Sequence, residues 1–288
     1  MAEFNTGINR NEPAYRIEGE RPIPVKSVLA FADVLGYGAK VREAAKIGKT
    51  SDFLVDFRQA LYAATNLLGP GFPYYAFNFT DTVIIGWPIP DDIEVPLCDT
   101  CLELCAFQLT MSQYGYFIRG GIAVGEAYLD KYVQSGEVLL EAYETESSIA
   151  VYPRIVLSET AVKEVERCCG FYCDANDCPL NNLFLVDADG LVFVNYLAYI
   201  FEMFDIETCL QDIIDQFEMH AREIEQNLLK EHPPHIRRKF QWAARYHDYV
   251  YDCVKDLLGY DVAISVDYDK ERFVPPRRLL EVFPNWLG

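Results

Sequence analysis

Basic residues are scarce in this chain: 25 Lys and Arg stand against 44 Asp and Glu in 288 residues, a formal charge of -19. That deficit removes the electrostatic footprint that nucleic acid or an anionic membrane surface requires, so neither is expected as a partner. Histidine is scarcer still. His220, His232, His235 and His247 all fall in the C-terminal third, so a Ser-His or Cys-His catalyst earlier in the chain would have to borrow its base from there. No apolar run approaches the length of a membrane span, and Met1 to Pro22 lacks the apolar segment of a signal peptide. A cytoplasmic location is therefore expected. An even cysteine count is also missing: nine thiols fit a reducing compartment better than a disulfide framework. Cys98, Cys101 and Cys105 recur at helical spacing, as core filler does. Structural zinc is the weaker reading, mostly at Cys168, Cys169, Cys173 and Cys178. No internal repeat or low-complexity tract is found.

Hydrophobic residues make up 51% of the chain, with 19 Tyr and 18 Phe, enough for a sizeable aromatic core. Residues 1–25 read as a polar lead-in arm. A strand is expected over 26–34, then two helical patterns over 38–68 ended by Gly69-Pro70-Gly71, and an aromatic hairpin over 74–87 with an acidic tip. Pro88, Pro90 and Pro96 open a connection to a helix ending near Gln113. A strand pair follows over 114–129 around Gly120, Gly121 and Gly125, then a helix over 137–148 and a strand over 154–157. Ser158 caps a helix over 159–167, and a hairpin on Ala188-Asp189-Gly190 joins 183–187 to 191–194. This order describes an α+β domain over 26–195, a sheet covered by helices on one face. Residues 196–288 read as a helical appendage and tail, in which the basic-aromatic stretch 235–252 is expected to pack on the acidic helix before it or to line a dimer interface.

The chemistry concentrates at Phe31 to Gly38, FADVLGYG. Asp33 stands at the end of an apolar strand, where a carboxylate that loses hydration needs a cation, a basic side chain or a metal. Leu35-Gly36-Tyr37-Gly38 adds backbone N–H groups at a helix start, which suits phosphate. Taken alone, Asp33 reads equally well as a helix cap. Asp81 repeats the pattern at the hairpin tip; if the two strands are neighbours the tips converge, and two carboxylates side by side repel unless a cation lies between them. Arg119, flanked by glycines on another strand, offers a guanidinium fork for phosphate oxygens or a partner for an acidic neighbour. Glu141, Glu144 and Glu146 read as the solvated side of a helix.

Four stretches carry a family resemblance. FADVLGYG resembles the first metal-binding motif of class III nucleotidyl cyclases, and FTDTVII the strand and turn bearing their second Asp. RGGIAVG resembles their arginine-bearing strand, and residues 136–158 (GEVLLEAYETESSIAVYPRIVLS) their helix and following strand. These motifs are collinear over roughly residues 27–165. Within the family the likeness is to the bacterial pyrimidine cyclases of anti-phage Pycsar systems, through EAYETES, YPRI, DADGLVFVNYL and KFQWAARYHDY. The resemblance implies a ferredoxin-like palm core and conversion of UTP or CTP to a 3′,5′-cyclic nucleotide and pyrophosphate. It also implies two Mn2+ or Mg2+ ions per site, held by Asp33, Asp81 and the carbonyl of Val34. Leu35, Gly36, Tyr37, Gly38 and Arg119 would hold phosphates. Implied too are a homodimer with sites at its interface and a separate effector that responds to the cyclic nucleotide.

The departures are specific. The family's Asn and transition-state Arg fall on Leu140 and Glu144. Arg154, Lys131 or a basic residue of the C-terminal appendage are the candidates for a replacement cation. The two base-reading positions fall on Phe77 and Val133, neither able to hydrogen-bond a purine edge. Bulk from Phe77 or Tyr75 would shorten the pocket and favour a pyrimidine, without separating uracil from cytosine.

Overall fold

A computed structural model describes residues 14–19, 21–68, 73–89 and 94–288. Residues 1–13 of the expected arm, the Gly69-Pro70-Gly71 turn and Pro90 lie outside the described residues. Strand β1 (Val25–Val34) alternates between two cores: Val28, Ala30, Ala32 and Val34 face one, Leu29 and half-buried Phe31 the other. Helices α1 (Tyr37–Lys46) and α2 (Thr50–Asn66) follow. The hairpin is β2 (Tyr75–Phe79) and β3 (Thr82–Pro88), turning at Thr80 and Asp81 with Thr80 in the left-handed region at φ 57°.

Helix α3 (Glu94–Gln113) leads to β4 (Ile118–Leu129). The strand pair expected over 114–129 is this single strand, and its glycines mark close approach rather than a turn. A Cβ on Gly121 would lie 2.3 Å from the Ala142 carbonyl oxygen, so only glycine lets helix α4 (Glu137–Glu144) settle onto the sheet here. A π-helical turn, Thr145–Ile149, ends that helix. Then come β5 (Ile155–Leu157), α5 (Glu159–Cys169) with Ser158 Oγ accepting the Ala161 N–H, and the hairpin β6 (Phe184–Val186) and β7 (Val192–Val194). Helices α6 (Leu210–Leu229) and α7 (Pro234–Leu258) form an antiparallel pair, and the tail adds β8 (Arg277–Arg278).

The main path of the sheet runs β8-β6-β7-β5-β4-β1-β3-β2. Along it β4 and β5 are parallel and the other pairs antiparallel. The fold is thus α+β with a mixed sheet. Helices α2, α3, α5, α6 and α7 share one continuous core. Helix α4 instead covers the opposite face, packing Val138 and Ala142 on Leu29, Ala123 and Ala127. Helices therefore lie on both faces, because β1 and β4 bury side chains of both parities. The basic-aromatic helix packs on the acidic one as expected, around buried His220 and His247. The cysteines at helical spacing are core thiols: Cys101 and Cys105 are fully buried. No helix among the described residues is long and apolar enough to cross a membrane.

Candidate functional site

Register brings the sequence candidates together. Asp33, next to last in β1, pairs across to Thr82 on one side and Arg119 on the other. Just beyond it, the Val34 N–H donates to the Asp81 carbonyl at 3.2 Å and the Leu35 N–H to that of Phe117 at 2.8 Å. These two bonds fasten the end of β1 between the β2–β3 turn and the start of β4. Asp33 therefore lies beside Asp81, close enough for the charge of one carboxylate to act on the other. Thr80 Oγ1 donates to Asp81 Oδ1 at 2.7 Å and orients it from behind.

The third side of the site is a surprise in the sequence. Glu146, expected on a solvated face, is 3% exposed, and its Oε1 lies 2.6 Å from Arg119 Nε. Arg119 also reaches Asp33, at 3.9 Å. Glu141 is likewise engaged, accepting from the Thr160 N–H and hydroxyl at 3.1 and 3.0 Å; Glu144 alone of the three stays exposed. Periodicity could have found Glu146, since it follows Val138 and Ala142 at four-residue steps on the buried side of α4.

Three carboxylates around one guanidinium leave a local excess of negative charge. Burial, then the charges of Asp81 and Glu146, push Asp33 up to about 7, with Arg119 pulling only partly the other way. Burial also raises Glu146, against the attraction of Arg119 and Lys239. The paired oxygens of Asp33 and Asp81 are hard donors suited to a divalent cation. Among the described residues no group of three or more His, Cys, Asp or Glu could hold a metal ion. A two-carboxylate set still fits Mg2+ or Mn2+ when substrate phosphates and water supply the remaining oxygens.

The candidates of the Leu35–Gly38 turn lie beside this centre, whereas Val133 does not: it follows Leu129, at the end of β4 opposite to Arg119. Val34 is buried at the strand end and Leu35 half-buried. Gly36 is in the left-handed region at φ 73°, which turns the chain into α1. Tyr37 packs on Phe53 and Phe57, and exposed Gly38 is flanked by the Arg42 guanidinium. Tyr75 and Phe77 lie half-buried on the face that carries Phe31 and α4. Val133 sits nearby in a turn held by Asp130, whose charge reaches Tyr75.

Two of the three replacement-cation candidates are spoken for. Arg154 is fully buried, bonded to Asp187 and Asp189 and enclosed by the rings of Tyr152, Phe193 and Trp242. Lys131 is exposed over the Tyr132 ring. Leu140 is 61% exposed, turned away from the sheet. No protein-family model matches this chain, and no curated protein matches it either.

Proposed function

We propose that this protein is a metal-dependent pyrimidine nucleotide cyclase of the class III type, converting UTP or CTP to the 3′,5′-cyclic monophosphate and pyrophosphate. The observation that carries this reading is the Asp33–Asp81 pair, two carboxylates from neighbouring strand ends beside a turn that opens a helix. The sheet order supports it, since β4-β1-β3-β2 with α1, α2 and α3 in the crossovers is the arrangement of a ferredoxin-like palm. Mn2+ or Mg2+ at the pair would acidify the ribose 3′-hydroxyl and neutralise the leaving pyrophosphate. The chain's own part is to hold Asp33 and Asp81 in register, offer Leu35 to Gly38 backbone to phosphate oxygens, and present Arg119 alongside.

Tyr75, Phe77 and Val133 would form the base pocket, with aromatic bulk selecting a pyrimidine. A homodimer with sites at its interface is supported by the exposed Tyr132, Leu140, Tyr143, Ile149 and Val151 on and around α4. The role as a messenger synthase in anti-phage defence, acting through a separate effector, rests on the sequence resemblance. A second reading, an impaired relative that binds nucleotide as a sensor or scaffold, is favoured by exposed Leu140 and Glu144 where an Asn and Arg would stand. Incubation with each of the four NTPs and Mn2+, resolved by mass spectrometry, is expected to give cyclic UMP or cyclic CMP, and Asp33→Ala to give none. Nucleotide binding without any cyclic product would favour the sensor, and full turnover by Asp33→Ala would remove the metal assignment.

A further inference from the structure

The site described above is short of positive charge for a ligand that brings several negative charges of its own. Arg119 is engaged by Glu146 and Asp33, Arg154 is sealed behind Asp187 and Asp189, and Lys26 is paired with Glu164 at 2.6 Å. Beyond the Arg42 guanidinium beside Gly38, a further cation comes from a distant part of the chain. Helix α7 packs beside the start of β4 and against the β6–β7 hairpin through contacts that follow one lysine.

Phe240 packs edge-on against Phe117 at 5.4 Å, and the Phe117 carbonyl is the one that accepts the Leu35 N–H. Trp242 Nε1 donates to Asp187 at 2.7 Å, and Tyr246 donates to Asn195 Oδ1 at 2.7 Å. Arg238 lines a separate cavity of about 310 Å³ with Asp187 and Asp189. Lys239, between Arg238 and Phe240, is half-buried, and the charges of Arg119, Asp33 and Glu146 all act on its ammonium. It takes part in none of the ion pairs that tie up Arg119 and Arg154. Two further lysines interact with each other nearby: Lys40, in the first turn of α1 after Gly38, and Lys230, in the connection to α7. At the turn itself the Arg42 guanidinium flanks Gly38, and Lys40 lies over the Tyr116 ring; cations from two parts of so acidic a protein suit a polyphosphate.

We propose that Lys239 is a substrate-binding residue whose ammonium contacts the phosphate chain of the nucleotide at the Asp33–Asp81 pair, so that the C-terminal helical pair completes the site. The inference rests on the nucleotide-binding reading of that pair. It gives residues 196–288 a chemical role: α7 carries a cation to a place that no residue of α4 supplies.

The test uses the full chain. Binding of inorganic tripolyphosphate and of UTP in Mg2+ is measured by isothermal titration for wild type, Lys239→Ala, Lys239→Arg and Arg238→Ala, with thermal unfolding of each alongside. Loss of one charge-assisted contact is expected to weaken binding of both ligands about tenfold to a hundredfold in Lys239→Ala. Lys239→Arg should restore most of it, and Arg238→Ala, facing the other cavity, should bind as wild type. Lys239→Ala binding within about twofold of wild type overturns the proposal, as does a lowered Tm with unchanged affinity, which marks a counter-ion of Glu146 only. The two readings part cleanly. If wild type cyclises UTP or CTP while Lys239→Ala binds and turns over normally, the lysine assignment falls and the cyclase stands. If tripolyphosphate binding depends on Lys239 but none of the four NTPs is cyclised, the cyclase falls and the assignment stands. A wild type that binds neither ligand overturns both.

Discussion

Glu146 Oε1 lies 2.6 Å from Arg119 Nε, although Arg119 belongs to a central strand and Glu146 to a π-helical turn on the sheet's opposite face from most helices. The pair divides Arg119 between Glu146 and Asp33. It also places a third carboxylate where its charge raises Asp33.

Glu146→Gln is therefore expected to lower the pKa of Asp33 from about 7, while burial and Asp81 keep it above the ordinary aspartate range. In the native protein Asp33 holds its proton to higher pH than in the unfolded chain. Its contribution to stability is full below the unfolded value of 3.8 and is lost as pH rises through about 7. The carbon-13 shifts of the Asp carboxyl groups, followed through a pH titration of metal-free protein, report the change directly. An Asp33 titration identical in the variant would show that Glu146 does not act on it.

Arg154→Ala should cost about 3–5 kcal/mol of stability, because it strands buried Asp187 without its partner. Arg154→Lys keeps the charge but cannot bond Asp187 and Asp189 together, and an intermediate loss is expected. Urea unfolding measures both. A variant as stable as wild type would mean that the aromatic enclosure of Tyr152, Phe193 and Trp242, rather than the ion pairs, holds this corner.

Gly121→Ala inserts a methyl group 2.3 Å from the Ala142 carbonyl oxygen and 2.7 Å from Thr145 Cβ. Since backbone is what it meets, α4 has to lift, and a loss of about 1–3 kcal/mol is expected. The same shift would separate Glu146 from Arg119. Binding of tripolyphosphate and the unfolding midpoint should both change; an unchanged midpoint would show that α4 yields without cost.

Acid should destabilise the α6–α7 pair. His247 Nε2 lies 2.8 Å from the Val262 carbonyl and must donate to it, so His247 Nδ1 accepts from His220 Nδ1 at 2.9 Å and His220 Nε2 accepts from Tyr196 at 2.9 Å. This pattern is the one that two neutral rings make. Burial pushes both pKa values down, for His220 reinforced by His247 and for His247 offset in part by Val262, Asp248 and Glu225. With the folded values depressed, their contribution to stability is present above the unfolded value of 6.5 and is lost as pH falls below it. Urea midpoints at pH 7.5 and 5 check this, in an Asp33→Asn background that removes the opposing trend of Asp33. A midpoint that does not fall on acidification would contradict the neutral pair.

Much of the site was legible because its parts sit on strands and tight turns. Period-two alternation and turn chemistry locate Asp33, Asp81 and Arg119 at strand ends without knowledge of the rest of the chain. In the sequence the single long strand β4 reads as a pair, because glycine is the usual residue of turns. Its glycines serve close packing instead, and only the position of α4 reveals that. Glu146 reads as solvated because a charged residue on a helix most often is, and its partner Arg119 lies on another element.

By itself, then, the sequence determined the α+β character and placed Asp33 and Asp81 at a strand end and a hairpin tip, properties of local pattern; strand pairing decided that the two are neighbours. Tertiary structure alone decided which cations serve that pair. It buries Arg154 against the β6–β7 turn, gives half of Arg119 to Glu146, and brings Lys239 in on a helix packed against Phe117. Charge acts through space, so its balance at a site depends on which distant segments the core draws together.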